Sequence, residues 1–353
     1  MTSALEADAR AERAPVSGPA DLLRIDELSV QFGTPRGLVR AVDGVSLEVR
    51  AGETLAVVGE SGSGKSVTGL AVMRLLERTS ARIAGGRIGF CGKDGAPRDL
   101  LALPEVAMRR VRGREIAMIF QDPLSSLNPV FTIGDQIVET LRRHQRLSRA
   151  AAGERAAELL AQVGIAGARS RLSDYPHQLS GGMRQRVVIA IALACDPLLL
   201  IADEPTTALD VTIQAQIVDL LKRLQRERRM GMIFITHDLG LVEEVADRVA
   251  VMYAGQIVET GPADQLLGRP RHPYTQALLD CNPHRALSRL AEGARPDLLP
   301  IPGAPPDPVR PPPGCRFHPR CRLGIEACTR AVPPMLEPAP GRGSRCIRHE
   351  ELA

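Results

Sequence analysis

The chain has 353 residues, 44% of them hydrophobic, which is enough apolar material for two domains or for one large domain with an appendage. Its formal net charge of +4 is mild, and basic residues alternate with acidic ones, so the charge pattern offers no footprint for nucleic acid. No window reaches the roughly 18 uninterrupted apolar residues of a membrane span; the closest, Val187 to Ala202, is broken by Asp196 and Pro197.

Residues 1–20 mix Arg, Glu, Asp and Ala without the apolar core of a secretory signal, so a disordered tail over 1–21 and a cytoplasmic location are expected. From Leu22 to Pro262 short aliphatic runs alternate with helix-like stretches, the pattern of an α/β domain with a largely parallel core sheet. Four runs, Glu53–Val58, Ile116–Phe120, Leu198–Ala202 and Met232–Thr236, are short, apolar and bounded by turn or polar residues, as buried strands are. Between the second and third, residues 122–179 are rich in Ala, Leu, Arg and Glu at helical spacing and read as a helical insertion. Residues 263–353 form an extension, in which Ile301–Pro313 is a Pro-rich connector expected to be extended and exposed.

The segment Gly59-Glu60-Ser61-Gly62-Ser63-Gly64-Lys65-Ser66 fits G-x-x-x-x-G-K-[ST], follows the first strand and precedes a helical pattern opening at Val67. Its glycines let backbone N–H groups close around phosphates, Lys65 reaches the β- and γ-phosphates, and Ser66 suits a Mg²⁺ ligand. In a parallel sheet, ligands sit beyond the C-terminal strand ends. The other three predicted strands end there in Gln121, in Asp203-Glu204 and in His237.

Asp203 suits a Mg²⁺ role and Glu204 that of a general base toward water, although a helix N-cap before Pro205 would use the same pair. Gln121 can hold Mg²⁺ and the water through its carbonyl oxygen; taken singly it is a polar turn residue. His237 can reach a γ-phosphate, while a lone histidine before Asp238 is usually structural. Their convergence at one set of strand ends favours nucleotide hydrolysis. Leu179-Ser180-Gly181-Gly182-Met183-Arg184-Gln185-Arg186 opens an apolar helix, and Ser180 with the following N–H groups makes a second anion site. One triphosphate is already wrapped by the first loop, so the second site points to the ATP of another subunit.

The succession of phosphate loop, Gln121, Leu-Ser-Gly-Gly signature, Asp203-Glu204, Ala208-Leu209-Asp210 and His237 resembles the nucleotide-binding domain of ABC ATPases over about 240 residues. The resemblance implies a P-loop NTPase fold of ABC type, with a helical subdomain and a C-terminal cysteine-containing appendage. It also implies a head-to-tail dimer in which two ATPs sit between one subunit's loop and the other's signature, with Asp210 passing between sites. An aromatic residue stacks on adenine in this family, and Phe32 is the best-placed candidate, with a strand-end core residue as the alternative. Met183 stands where the wider family commonly has glutamine.

Finer matches lie at Phe120-Gln121-Asp122-Pro123, Ser125 to Pro129, Tyr175 to Gln178, Val211 to Gln216, and Arg271 to Thr275. They resemble the dipeptide, oligopeptide and nickel importer ATPases, dipeptide-importer ATPases most closely. The resemblance implies two membrane-spanning permease subunits, a second ATPase subunit (a copy or a paralogue) and, indirectly, a solute-binding protein. It places the chain peripherally on the cytoplasmic face of the inner membrane. Nickel, glutathione or another small solute is the alternative cargo. A non-transport ABC ATPase of DNA repair or translation is a further alternative, though neither a long coiled-coil insertion nor a second cassette is present.

Cys315, Cys321, Cys328 and Cys346 are spaced C-x5-C-x6-C-x17-C in a stretch with no apolar periodicity, which suits a metal staple. The residues permit zinc or a [4Fe-4S] cluster alike. The peptide-importer resemblance implies the iron-sulfur cluster. The connector is expected to keep this tail apart from hydrolysis.

Overall fold

The computed structural model describes residues 21–76, 79–207, 209–281 and 300–352. The expected N-terminal tail, Asp21 apart, and Ala208 lie outside the described residues.

In chain order the strands are β1 (Asp21–Thr34), β2 (Gly37–Arg50), β3 (Thr54–Val58), β4 (Ala81–Cys91), β5 (Pro97–Asp99), β6 (Ile116–Ile119), β7 (Leu199–Asp203), β8 (Gly231–Thr236), β9 (Arg248–Tyr253), β10 (Gln256–Pro262), β11 (Leu336–Ala339) and β12 (Arg342–Ser344). The helices are α1 (Lys65–Val72), α2 (Glu105–Val111), α3 (Pro123–Ser126), α4 (Ile133–Gln145), α5 (Arg149–Gln162), α6 (Ala168–Arg171), α7 (Gly181–Leu193), α8 (Val211–Arg228), α9 (Leu239–Val245), α10 (Ala263–Gly268), α11 (Pro273–Asp280) and α12 (Ala327–Arg330).

Among the described residues, β2-β1-β4-β5 form an antiparallel sheet, and the second sheet runs β11-β12-β10-β9-β3-β8-β7-β6. Its centre, β9-β3-β8-β7-β6, is parallel throughout, with Ala56 opposite Phe234, Leu200 opposite Met232 and Met118 opposite Ile201. The four expected core strands are thus β3, β6, β7 and β8, shifted by a residue at most. All residues of these four are buried, as both faces of a parallel sheet are covered.

One face packs Ile119, Leu200 and Phe234 with Ile137 of α4, Leu160 of α5, Ile189 of α7 and Leu221 of α8. On the other face Val57, Ile201 and Ile235 meet α1 and the antiparallel sheet through Val72, Val30 and Phe90. Helix starts are capped as the residue types demand: Thr132, Ser148, Ser180 and Asp210 each accept a backbone N–H three residues on.

The C-terminal region does not hang apart. β12 pairs with β10, Glu259 opposite Ser344 and Thr260 opposite Gly343, so the tail extends the core sheet. The Pro-rich stretch is mostly exposed, as expected, but it turns at Asp307–Arg310 and lies along β2, where the Arg40 N–H donates to Pro308 O at 3.3 Å. A third core cluster joins β3, β9 and β10 to the tail around Tyr253, Tyr274 and Phe317, whose ring centroids lie 4.5 to 5.3 Å apart.

Candidate nucleotide site

The strand order brings the ends of β3, β8, β7 and β6 side by side, so Gly59, His237, Asp203-Glu204 and Gln121 fall along one edge. The loop after β3 is shaped by close backbone approach. A Cβ on Gly59 would lie 2.1 Å from Met252 O, and one on Gly64 2.3 Å from Ala41 O, both at positive φ. Gly64 starts α1, whose first turn holds Lys65 and Ser66. Lys65 is buried, its Nζ donating to Gly59 O at 2.7 Å and Glu60 O at 3.0 Å. Burial lowers its pKa, while the Glu204, Asp203 and Glu60 carboxylates pull the other way.

Ser66 Oγ donates to Asp203 Oδ1 at 2.9 Å. Burial raises the Asp203 pKa against that hydrogen bond, so this carboxyl is short of positive charge. Glu204 lies beyond the end of β7 in the left-handed region, φ 46°, with its N–H donating to Ile235 O at 2.9 Å. Its Oε2 accepts from Gln121 Nε2 at 3.0 Å and from Thr207 Oγ1 at 2.9 Å, and His237 Nδ1 lies 3.1 Å from its Oε1. Burial works to raise the Glu204 pKa, but the bonds from His237 and Thr207 outweigh it, so the carboxyl sits below the usual range.

Residues read from sequence therefore meet directly in three groups: Gly59, Glu60 and Ser63 with Lys65; Ser66 with Asp203; and Gln121 and His237 with Glu204. Ser61 and Gly62 are exposed at the loop, while Ser63 is buried with its Oγ 3.5 Å from Lys65 Nζ. Val67 and Phe32 are half-buried against the core, Phe32 at the end of β1 opposite Val39 and Ala81.

The signature lies elsewhere. Ser180 caps α7 by accepting the Met183 N–H at 3.3 Å, Gly181 is exposed, and Gly182 packs against Ile213 of α8. Asp210 caps α8, accepting from Ile213 N at 3.0 Å. Among the described residues no hydrogen bond joins Ser180–Gly182 or Asp210 to residues 59–66.

Sequence reading missed three residues. Thr207 follows Glu204 by three positions, a spacing that could have signalled its hydroxyl. Tyr274, inside the Arg271–Thr275 match, takes the Glu60 N–H on its hydroxyl at 2.9 Å. Arg320 pairs with Glu60 from the tail at 2.7 and 2.9 Å, so the connector does not keep the tail from the loop.

The cysteine cluster requires a correction. Among the described residues no group of three or more His, Cys, Asp or Glu side chains could hold a metal ion, which overturns both the iron-sulfur cluster and the zinc alternative at Cys315, Cys321, Cys328 and Cys346. Burial pushes the thiols of Cys315 and Cys321 up, and that of Cys346 up to about 11. Hydrogen bonds and ion pairs staple the tail: Cys315 N–H to Cys328 O at 2.8 Å, Arg345 N–H to Val258 O at 2.8 Å, Arg342 to buried Glu259 at 3.2 Å, and Arg316 to Asp43.

The family described as ABC transporter matches residues 42–207, and the oligopeptide/dipeptide transporter C-terminal region matches residues 258–328. A Brucella melitensis protein, named provisionally as a peptide import ATP-binding protein, is 54% identical over 332 residues, covering 94% of this chain and 98% of its own. The dipeptide transport ATP-binding protein DppD of Bacillus subtilis is 51% identical over 312 residues, 88% of this chain and 90% of its own.

Among solved structures, the ATP-binding cassette MJ0796, dimeric in a post-hydrolysis state with ADP and Pi, matches at TM-score 0.60 and 26% identity, over 68% of this chain and 98% of that one. CbiO1 of Clostridium perfringens, part of the ABC transporter complex cbiONQ, matches at TM-score 0.58 and 27% identity, over 70% and 91%. The fold and the strand-end site define an ATP-binding cassette ATPase. The chain belongs to the ABC transporter family, in the group that carries the oligopeptide/dipeptide transporter C-terminal region.

Proposed function

We propose that the strand-end cluster hydrolyses ATP to drive peptide uptake. The chain is the ATP-binding, ATP-hydrolysing subunit that energises an importer for dipeptides or oligopeptides. The observation that carries the hydrolytic reading is Glu204, held by Gln121, Thr207 and His237 next to the Ser66–Asp203 pair. Peptide as cargo is supported by the two named relatives and by the C-terminal region.

ATP occupies the loop from Gly59 to Val67, with Phe32 against the adenine. Lys65, whose Nζ now serves two loop carbonyls, turns its charge to the β- and γ-phosphates. Mg²⁺ suits Ser66, Asp203 and Gln121: a hydroxyl, a carboxylate in need of positive charge and a carboxamide oxygen are the hard donors it takes, and it neutralises developing phosphate charge. Glu204 is ionised at neutral pH and can accept a proton from water. His237, exposed and touching Glu204, is free to turn to the γ-phosphate. That move would withdraw one of the bonds depressing the Glu204 pKa and make the carboxylate a better base.

Ser180, Gly181, Gly182 and Asp210, lying apart from the loop, serve the ATP of a second ATPase subunit, a copy or a paralogue. The dimeric state of the similar cassette supports this arrangement. Residues 22–262 act as the nucleotide-binding unit and 263–353 as its extension. Within the helical segment 122–179, Val130 and Phe131 are 71% and 52% exposed beside Asn128, whose backbone is pinned by Gln136. This apolar knob, in the segment that follows Gln121 in the chain, suits the permease contact, and with it a peripheral place on the cytoplasmic face of the inner membrane. Among the described residues no helix is long and apolar enough to cross a membrane.

The test is the assembled transporter in vesicles with its permeases and binding protein: dipeptides or oligopeptides should stimulate ATP hydrolysis, and Val130→Asp with Phe131→Asp should remove the stimulation. Stimulation by nickel or glutathione alone would move the cargo.

A further inference from the structure

Glu60 is the second residue of the phosphate loop, and a carboxylate there is an electrostatic difficulty. Its charge is near enough to favour the protonated form of Lys65, so the same field opposes an incoming triphosphate. The partner that offsets it lies 260 residues further along the chain. Arg320 Nη1 donates to Glu60 Oε2 at 2.7 Å and Nη2 to Oε1 at 2.9 Å, a bidentate pair. The arginine side chain is 5% exposed and held on every side, Nη1 also donating to Tyr253 Oη at 3.2 Å and Nε to Pro302 O at 2.9 Å.

A second hold on the same residue comes from the hydroxyl of Tyr274, which accepts the Glu60 N–H and belongs to the ring cluster with Tyr253 and Phe317. Beside the loop opens a cavity of about 480 Å³, walled by Arg40 of β2, Ser61 and Gly62 of the loop, Tyr253 of β9 and Pro306 of the connector. Loop, sheet and tail therefore meet at one mouth.

We propose that Arg320 is a positioning residue of the nucleotide site: by neutralising and fixing Glu60, the C-terminal extension sets how tightly the phosphate loop takes Mg-ATP. This rests on residues 59–66 being the ATP site. The neutralised loop receives the triphosphate without a carboxylate charge against it, and the affinity of the cassette depends on a docked tail.

The experiment measures Mg-ATP binding to the purified full chain by calorimetry, and KM and kcat in the assembled transporter. Arg320→Met should raise Kd and KM about tenfold with kcat within about twofold, because ground-state binding is lost and the hydrolytic groups are untouched. In the double variant Glu60→Gln with Arg320→Met, the uncompensated charge is gone and Kd should return to within about threefold of the original. Arg342→Met, which breaks the tail's pair with Glu259 away from the loop, should lower thermal stability and leave Kd unchanged.

A Kd within twofold of the original for Arg320→Met overturns the proposal. So does an Arg342→Met variant equally weak for ATP, which would make the effect tail unfolding, or a double variant no better than the single. If Arg320→Met does not fold, Arg320→Lys keeps the charge and loses the fork; Kd should rise about threefold, and no rise overturns the proposal. Lys65→Ala probes the ATP site itself: retained affinity there sinks the site assignment, whereas lost affinity with a neutral Arg320→Met sinks only the role of the tail.

Discussion

The strand-end edge and the C-terminal tail both surround the phosphate loop, but they are held by different means. At the edge, groups at the ends of neighbouring parallel strands touch through side-chain hydrogen bonds, Ser66 on Asp203 and His237 on Glu204, with Thr207 on Glu204 inside one loop. In the tail, contacts join residues far apart in the chain through ion pairs and rings: Arg320 to Glu60, Arg316 to Asp43, and Phe317 to Tyr253 and Tyr274. Chemistry is carried by motif at the edge and by tertiary docking in the tail, so substitutions at the edge should alter turnover and those in the tail affinity and stability.

The largest effect should come at the edge. Glu204→Gln keeps the size of the side chain, exchanges one acceptor oxygen for an NH2 donor and removes its basicity, so kcat should drop by about 10² to 10⁴ with Mg-ATP affinity retained. Near-normal turnover would break the contrast at its strongest point and shift the base to His237.

The tail should answer to pH through stability instead. His272 is buried and caps α11 by accepting the Tyr274 N–H on Nδ1 at 3.1 Å. Burial, with the Arg345 charge adding to it, lowers its pKa to about 3, against 6.5 ordinarily. The folded chain thus holds a neutral ring that the unfolded chain protonates. Stability is full above about pH 6.5 and falls as the pH drops toward 3, by at most about 1.4 kcal/mol per pH unit from this group. Denaturant titrations at pH 7.5 and 5 should show the loss, and His272→Asn should flatten the slope; an unchanged slope would remove His272 as its source.

The smallest effect sharpens the edge itself. Thr207→Ala deletes one of the bonds that depress the Glu204 pKa, so the acid limb of the kcat profile should move to higher pH, with a change of a few-fold at most at neutral pH. A limb that stays in place, with turnover unaltered, would show that the hydroxyl has no hold on the carboxylate.

This contrast also explains what could be read from the residues alone. Lys65, Ser66, Gln121, Asp203, Glu204 and His237 each sit where a short apolar strand stops, and a parallel sheet then brings them together with no further information. Thr207 was within reach of the same logic, three residues past Glu204. Arg320 was not, because nothing local to it distinguishes an arginine that crosses to Glu60 from the many that face solvent. The cysteine spacing misled for a related reason: spacing along the chain does not fix whether side chains converge, and among the described residues no group of three or more such side chains could hold a metal ion. The tail was expected to need a metal because it lacks apolar periodicity, whereas Arg342 on Glu259 and the Phe317 ring already tie it down.

The pairing of β12 with β10 has a consequence for solubility. Backbone groups at Glu259 and Thr260 are occupied by Ser344 and Gly343, and Val258 O by the Arg345 N–H. A chain cut before Leu336 would bare that row of donors and acceptors along a strand whose Ile257 and Val258 are buried, a ready template for a neighbouring molecule to add its own strand. The last residues of the fold thereby act as a selvedge, keeping one copy of the sheet from being stitched to the next.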